Sequence, residues 1–165
     1  KMARGIFSTL IFNEEIKPDE LSGFMDGFYC KNIFGLNYPL LKRLGKGEAV
    51  DTGKRDSNGY NRYYETVIDI NSERYLICSQ WVENIHRDML NQWIISKMTL
   101  ITGKKARLMS QGIDFSIKTL LNDYWEYLPF DLRKAIDKRF KLNISDNASI
   151  IETGIEDGMI IYRKV

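Results

Sequence analysis

Leu132-Arg133-Lys134-Ala135-Ile136-Asp137-Lys138-Arg139-Phe140-Lys141 decides the fold of the last third of this chain. Leu132, Ala135, Ile136 and Phe140 recur at helical spacing and can share a buried face. Arg133, Lys134, Lys138 and Lys141 are left facing solvent. Upstream, the run from Asp114 to Tyr127 predicts a first helix from Ser116 onward, capped by Asp114 or Ser116 and stopped by Pro129. Asp131 is expected to cap the basic helix, which would end near Lys141. Downstream, Ala148-Ser149-Ile150-Ile151-Glu152 and Met159-Ile160-Ile161-Tyr162-Arg163 predict a hairpin. Its tip holds Glu156-Asp157-Gly158, and together with Glu152 it reads as acidic.

The first hundred residues read differently. Ile6 to Phe12 is a buried strand or a short apolar helix, which periodicity alone leaves open. Lys17-Pro18-Asp19-Glu20 begins a helix, with Pro18 in its first turn and two acids at its positive end. That helix would carry Leu21, Phe24, Met25 and Phe28 inward. Ile33 to Leu44 is a second apolar stretch, and the glycine-rich Gly45 to Gly59 reads as a loop. Tyr63 to Ile70 and Arg74 to Trp81, rich in β-branched and aromatic residues, flank Asn71-Ser72-Glu73 as a hairpin. A helix from about Glu83 to Lys97 follows, with Ile85, Met89, Leu90, Trp93 and Ile94 on one apolar face. Thr99 to Gly112 reads as a linker holding the basic loop Thr102-Gly103-Lys104-Lys105-Ala106-Arg107.

The expected fold class is therefore α+β. An N-terminal α+β module with an antiparallel hairpin (1–98) is joined by a basic linker (99–112) to a C-terminal helix-helix-hairpin unit (113–165). The 165 residues suffice for one medium domain or two small ones, and 44% hydrophobic content is in the globular range. No apolar run approaches a membrane span, so no membrane partner is expected. The start is not expected to be a secretory signal, and Lys1 ahead of Met2 reads as a preparative leftover or an internal boundary. Cys30 and Cys78 are expected to be buried thiols of a cytoplasmic protein, without a disulfide or a metal site. The net charge is only +2. Residues 1–97 carry 13 charges of each sign, whereas 98–165 carry 11 basic and 9 acidic residues, so any footprint for a polyanion lies in the C-terminal third.

That third follows the winged-helix pattern used by many nucleic-acid binders. Its Asp114-to-Leu121 entry, Tyr124-Trp125-Glu126-Tyr127-Leu128-Pro129, Arg133 to Lys141, and closing Ile160-Ile161-Tyr162-Arg163-Lys164 resemble a family of small winged-helix proteins. These are carried on mobile elements of Gram-positive bacteria and were formerly a domain of unknown function. The resemblance implies DNA binding, including single strands, beside replication genes. The sequence departs from the family at Asp137, where members tend to have glycine; an acid there would lower the positive potential of the presented face.

Lys134, Lys138 and Lys141 share one helical stripe and would neutralise phosphates. Arg133 or Arg139 would add bidentate contacts. Lys104, Lys105 and Arg107 of the basic loop are further candidates. The acidic hairpin tip would repel a phosphate backbone, so contacts are expected from the helix and loop. Tyr60, Arg62 and Tyr64 are candidates for base stacking or for an interface; alternation puts Tyr63 and Tyr64 on opposite sides, one of them in the core.

No catalytic motif competes. His86-Arg87-Asp88 imitates a kinase triplet without its partners and lies within an amphipathic helix. Asp69, Glu73 and Arg74 cluster at a hairpin turn, where acids are common. Gly45-Lys46-Gly47 and Gly103-Lys104-Lys105 lack phosphate-loop spacing. The expectation is a non-enzymatic DNA-binding accessory protein of a phage or mobile element, without cofactor, binding single- or double-stranded DNA. The alternative is a protein-interaction module, such as an inhibitor of a host restriction or CRISPR enzyme.

Overall fold

Ala3, Ile6, Phe7 and Leu10 are buried along one face of helix α1 (Met2–Phe12), and this spacing resolves the opening apolar run as helical. The computed structural model describes residues 1–144 and 149–165; Ala148, placed in a strand by the sequence reading, lies outside the described residues. The fold is α+β, with two antiparallel three-stranded sheets. Two compact units divide the chain: Phe7–Leu90, and Lys1–Ile6 together with Asn91–Val165. None of the described helices is long and apolar enough to cross a membrane.

In the first unit α2 (Pro18–Phe24) starts as expected, with the Lys17 amide donating to the Glu20 carboxylate at 3.0 Å. It does not run on to Phe28. Asp26 caps a separate helix, α3 (Gly27–Phe34), by accepting from the Tyr29 amide at 2.6 Å. The helical register restarts there, which leaves Met25 and Phe28 exposed while Phe24 stays buried. Gly35 closes α3 at φ 75°, a left-handed conformation that side chains disfavour.

Strand β1 (Leu41–Arg43) follows, then a single helical turn, α4 (Val50–Gly53), inside the glycine-rich segment. Strands β2 (Tyr63–Ile70) and β3 (Glu73–Cys78) form the expected hairpin, and the sheet order is β1-β3-β2. Ile70 pairs with Glu73, so only Asn71 and Ser72 form the turn. Both have positive φ, 50° and 66°, the twist a two-residue hairpin requires. Phe7, Phe24, Phe34 and Trp81 fill the core as an aromatic cluster with ring centroids 5.6–6.0 Å apart. Cys30 links two elements: its thiol donates to the Phe24 carbonyl at 3.4 Å and accepts from the Leu40 amide at 3.1 Å. Cys30 and Cys78 are unbridged and buried, and burial pushes both thiols up to about 11.

Helix α5 (Glu83–Leu108) has 26 residues and enters both units. The expected end at Lys97 is corrected, because Met98, Ile101 and Ala106 continue the buried spacing. Thr99 and Thr102 satisfy their hydroxyls on the carbonyls of Ile95 and Met98. The expected linker at 99–112 is thus mostly helix. Its first turn is also rotated from the expected register. His86 is buried and accepts from the Val82 amide at 2.8 Å, while Ile85 faces solvent.

In the second unit β4 (Asp114–Phe115) precedes α6 (Ile117–Leu120), a 3-10 helix (Asn122–Tyr127), α7 (Phe130–Ile144), β5 (Ile150–Glu156) and β6 (Met159–Lys164). The single helix expected from Ser116 to Tyr127 is broken after Leu120. Ser116 is the cap, accepting from the Thr119 amide. Asp114 instead sits opposite Arg163 in the sheet, with two bonds of 2.7 and 2.8 Å between the side chains. Asp131 lies within α7 and not at its cap. The sheet order is β4-β6-β5, so the two-residue strand pairs with the last one. Leu132, Ile136 and Phe140 of α7 are buried against a core that includes Phe115, Leu120, Tyr124 and Tyr162.

Tyr162 joins the parts. Its ring stacks on Phe115 at 5.9 Å and meets Phe140 edge-on at 5.1 Å. Its hydroxyl donates to Asp137 at 2.9 Å. Replacing Tyr162 by phenylalanine is expected to cost about 1–3 kcal/mol in urea unfolding at neutral pH, because a half-buried carboxylate loses its donor. Burial raises the Asp137 carboxyl above the ordinary range. It therefore takes up a proton before its unfolded counterpart as pH falls, and the penalty should shrink toward pH ~4. A penalty constant with pH would show that Asp137 does not depend on the phenol.

Candidate nucleic-acid interface

The three buried residues of α7 fix what its other side presents. Leu132, Ile136 and Phe140 are four apart and face the core, so Lys134, Lys138 and Lys141 point away from it. All three are exposed. Lys134 holds its ammonium 4.5 Å from the Phe130 ring centroid, one turn earlier. Lys138 has no ion pair among the described residues. Lys141 is tied across to β5, 2.6 Å from Glu152. Glu152 consequently does not belong to the acidic tip: it sits mid-strand opposite Tyr162, and the tip acids are Glu156 and Asp157.

Arg133 does not join this face. It is half-buried, donates to the Trp125 carbonyl at 2.6 Å and stacks 4.5 Å from the Trp125 ring centroid. Its guanidinium clamps the 3-10 helix to α7, with Nε left without a hydrogen-bond partner. Arg139 reaches back to the Ser96 hydroxyl at 2.9 Å. Asp137, expected to weaken the cationic face, is half-buried and accepts from the Tyr162 hydroxyl, and its carboxylate still acts on Lys141.

The second candidate group, expected on a loop, occupies the last turns of α5. Lysine and arginine side chains there offset the negative end of the helix dipole, a structural role in its own right. Lys105 donates to the Leu120 carbonyl at 2.9 Å and lies over the Tyr124 ring, so its charge is spent on the fold. Lys104 and Arg107 are exposed. Lys164 ends the hairpin by donating to the Arg107 carbonyl at 2.6 Å.

Beside the hairpin turn a groove of about 490 Å³ is lined by Asp114, Lys118, Glu156 and Asp157 among others. Asp114 is neutralised there by Arg163, and Glu156 and Asp157 outnumber Lys118, which disfavours a phosphate.

Tyr60, Arg62 and Tyr64 lie in the first unit. Arg62 is held between the Tyr38 and Tyr60 rings, at 5.1 and 5.2 Å from their centroids. Its Nε donates to Asp56 at 2.8 Å and its Nη1 to Gln80 at 2.9 Å. Asp56 also accepts from the Asn58 and Tyr60 amides, and its carboxyl is held low chiefly by Arg62. Arg62 therefore organises the 56–60 turn. Tyr38, Asp56 and Gln80 were not singled out from sequence; the Asp56-Ser57-Asn58-Gly59 turn was the available signal. Tyr60 remains exposed, Tyr64 is half-buried and Tyr63 is the core member of the pair.

The remaining motifs dissolve into local contacts. His86 is buried, with burial lowering its pKa, and Arg87 pairs with Glu83. Glu73 pairs with Arg43, and Arg74 donates to the Glu48 carbonyl. No group of three or more His, Cys, Asp and Glu side chains among the described residues could hold a metal ion.

Arg133 and Lys134 are sequence neighbours with opposite duties. Arg133→Ala is expected to lower stability by about 1–3 kcal/mol in thermal or urea unfolding, with only partial recovery in Arg133→Lys, which lacks the planar fork. Lys134→Ala should leave stability unchanged. Equal effects at the two positions would refute the division. No family model matches the chain, and no curated protein and no solved structure matches it.

Proposed function

We propose that the chain is a non-enzymatic DNA-binding accessory protein, acting in the cytoplasm, that contacts phosphates through the outer face of α7. The observation that carries this reading is the placement of Lys134, Lys138 and Lys141 on one exposed stripe opposite the core-facing Leu132, Ile136 and Phe140. A helix-strand-helix-helix-hairpin order, with the first strand lying against the last, supports a winged-helix reading of residues 91–165. Lys104 and Arg107 are outlying contacts. Arg133 and Lys105 leave the site because their cations are committed internally. A phage or mobile-element origin rests on the sequence resemblance alone.

The test is fluorescence anisotropy with single- and double-stranded oligonucleotides over a salt series. Affinity should fall log-linearly with salt, as expected for counterion release. Lys134→Glu with Lys138→Glu should weaken binding by at least about tenfold and reduce the salt slope by ~2. No binding at low salt, or a double variant that binds like the parent, would overturn the proposal.

A second reading, a protein-interaction module such as an inhibitor of a restriction or CRISPR enzyme, is favoured by Phe12 and Phe28. These are 87% and 78% exposed in the aromatic first unit. A stoichiometric protein partner with no DNA affinity would select it.

A further inference from the structure

We propose that the first turn of α7 stacks an unpaired base, so that the DNA bound is single-stranded. This deepens the DNA-binding reading and rests on it. Phe130, the first residue of α7, is 64% exposed. It lies outside the buried face of α7, which Leu132, Ile136 and Phe140 form. One exposed phenylalanine is ordinary on a protein surface; its setting is what separates this one. Lys134 holds its ammonium 4.5 Å from the ring centroid, which couples the aromatic surface to the cationic stripe. An aromatic platform beside a row of cations is the combination that single strands require, since the ring takes a base and the lysines take the flanking phosphates.

The helix sets the spacing. With a rise of about 1.5 Å per residue, Lys134 and Lys138 lie ~6 and ~12 Å along the axis from Phe130. One short strand running along the helix would meet the ring first and then the two cations. The rest of the unit works against a duplex. The hairpin tip carries Glu156 and Asp157, both exposed, so the tip repels a second phosphate strand. The proposed contact is therefore confined to one helix face, which suits a single strand with its bases unstacked.

Three probes of equal length separate base from backbone: an oligothymidylate of about twelve nucleotides, an abasic strand and a mixed-sequence duplex. Phe130→Leu should weaken oligothymidylate binding by about five- to tenfold and leave the abasic strand and the duplex within ~2-fold. Phe130→Trp should preserve oligothymidylate binding. Because Phe130 is exposed, neither change should disturb folding, and matched unfolding curves check this. An equal loss on all three probes, or no loss on oligothymidylate, overturns the stacking site. If those results accompany binding that still depends on Lys134 and Lys138, the stacking site alone falls. If the parent protein binds none of the probes, the DNA-binding reading falls with it.

Discussion

Tyr162 is the residue on which the C-terminal unit turns. A phenol buried between Phe115 and Phe140 must satisfy its hydroxyl, and Asp137 is the acceptor it reaches. That bond links the last strand to the middle of α7 and sets the roll of the helix. Once Asp137 is turned to the sheet, Lys134, Lys138 and Lys141 follow on the outside by helical geometry. The cationic stripe is thus a consequence of packing, and Asp137 both helps orient it and acts on Lys141 within it.

The basic residues of this unit divide by what they touch. Arg133 stacks on Trp125, Lys105 reaches the Leu120 carbonyl, Arg163 pairs with Asp114 and Lys164 closes the end of α5. Each charge is placed where a carbonyl, a carboxylate or an aromatic face meets it. The net charge of +2 therefore does not say which cations are open to a partner. Lys134 and Lys138 on one side of α7 are among those that remain exposed, and affinity for a polyanion would respond to their substitution.

Local features were readable in the sequence. Pro18 marked a helix start, Asn71-Ser72-Glu73 a hairpin turn one residue too long, and the four-residue spacing of Leu132, Ile136 and Phe140 a helix with an inner and an outer face. What escaped depended on distant partners or on where a register restarts. Phe28 looked inward only while α2 was taken to continue past Asp26. Gly103 and its basic neighbours suggested a loop, yet Met98, Ile101 and Ala106 carry the helix through them. Arg133 could not be told from Lys134 without knowing that Trp125 lies beside it. Phe130 was overlooked because its significance comes from the lysine one turn later, not from any motif.

The unbridged thiols of the first unit have a practical meaning. Cys30 is bonded to the backbone at both Phe24 and Leu40, and Cys78 is enclosed beside it in the buried end of β3. Held far from ionisation and shut away from solvent, neither sulfur can react with an alkylating reagent in the closed state. Their modification rate in the native protein therefore counts the moments at which that unit opens, giving its stability a chemical clock that the cysteine-free C-terminal unit lacks.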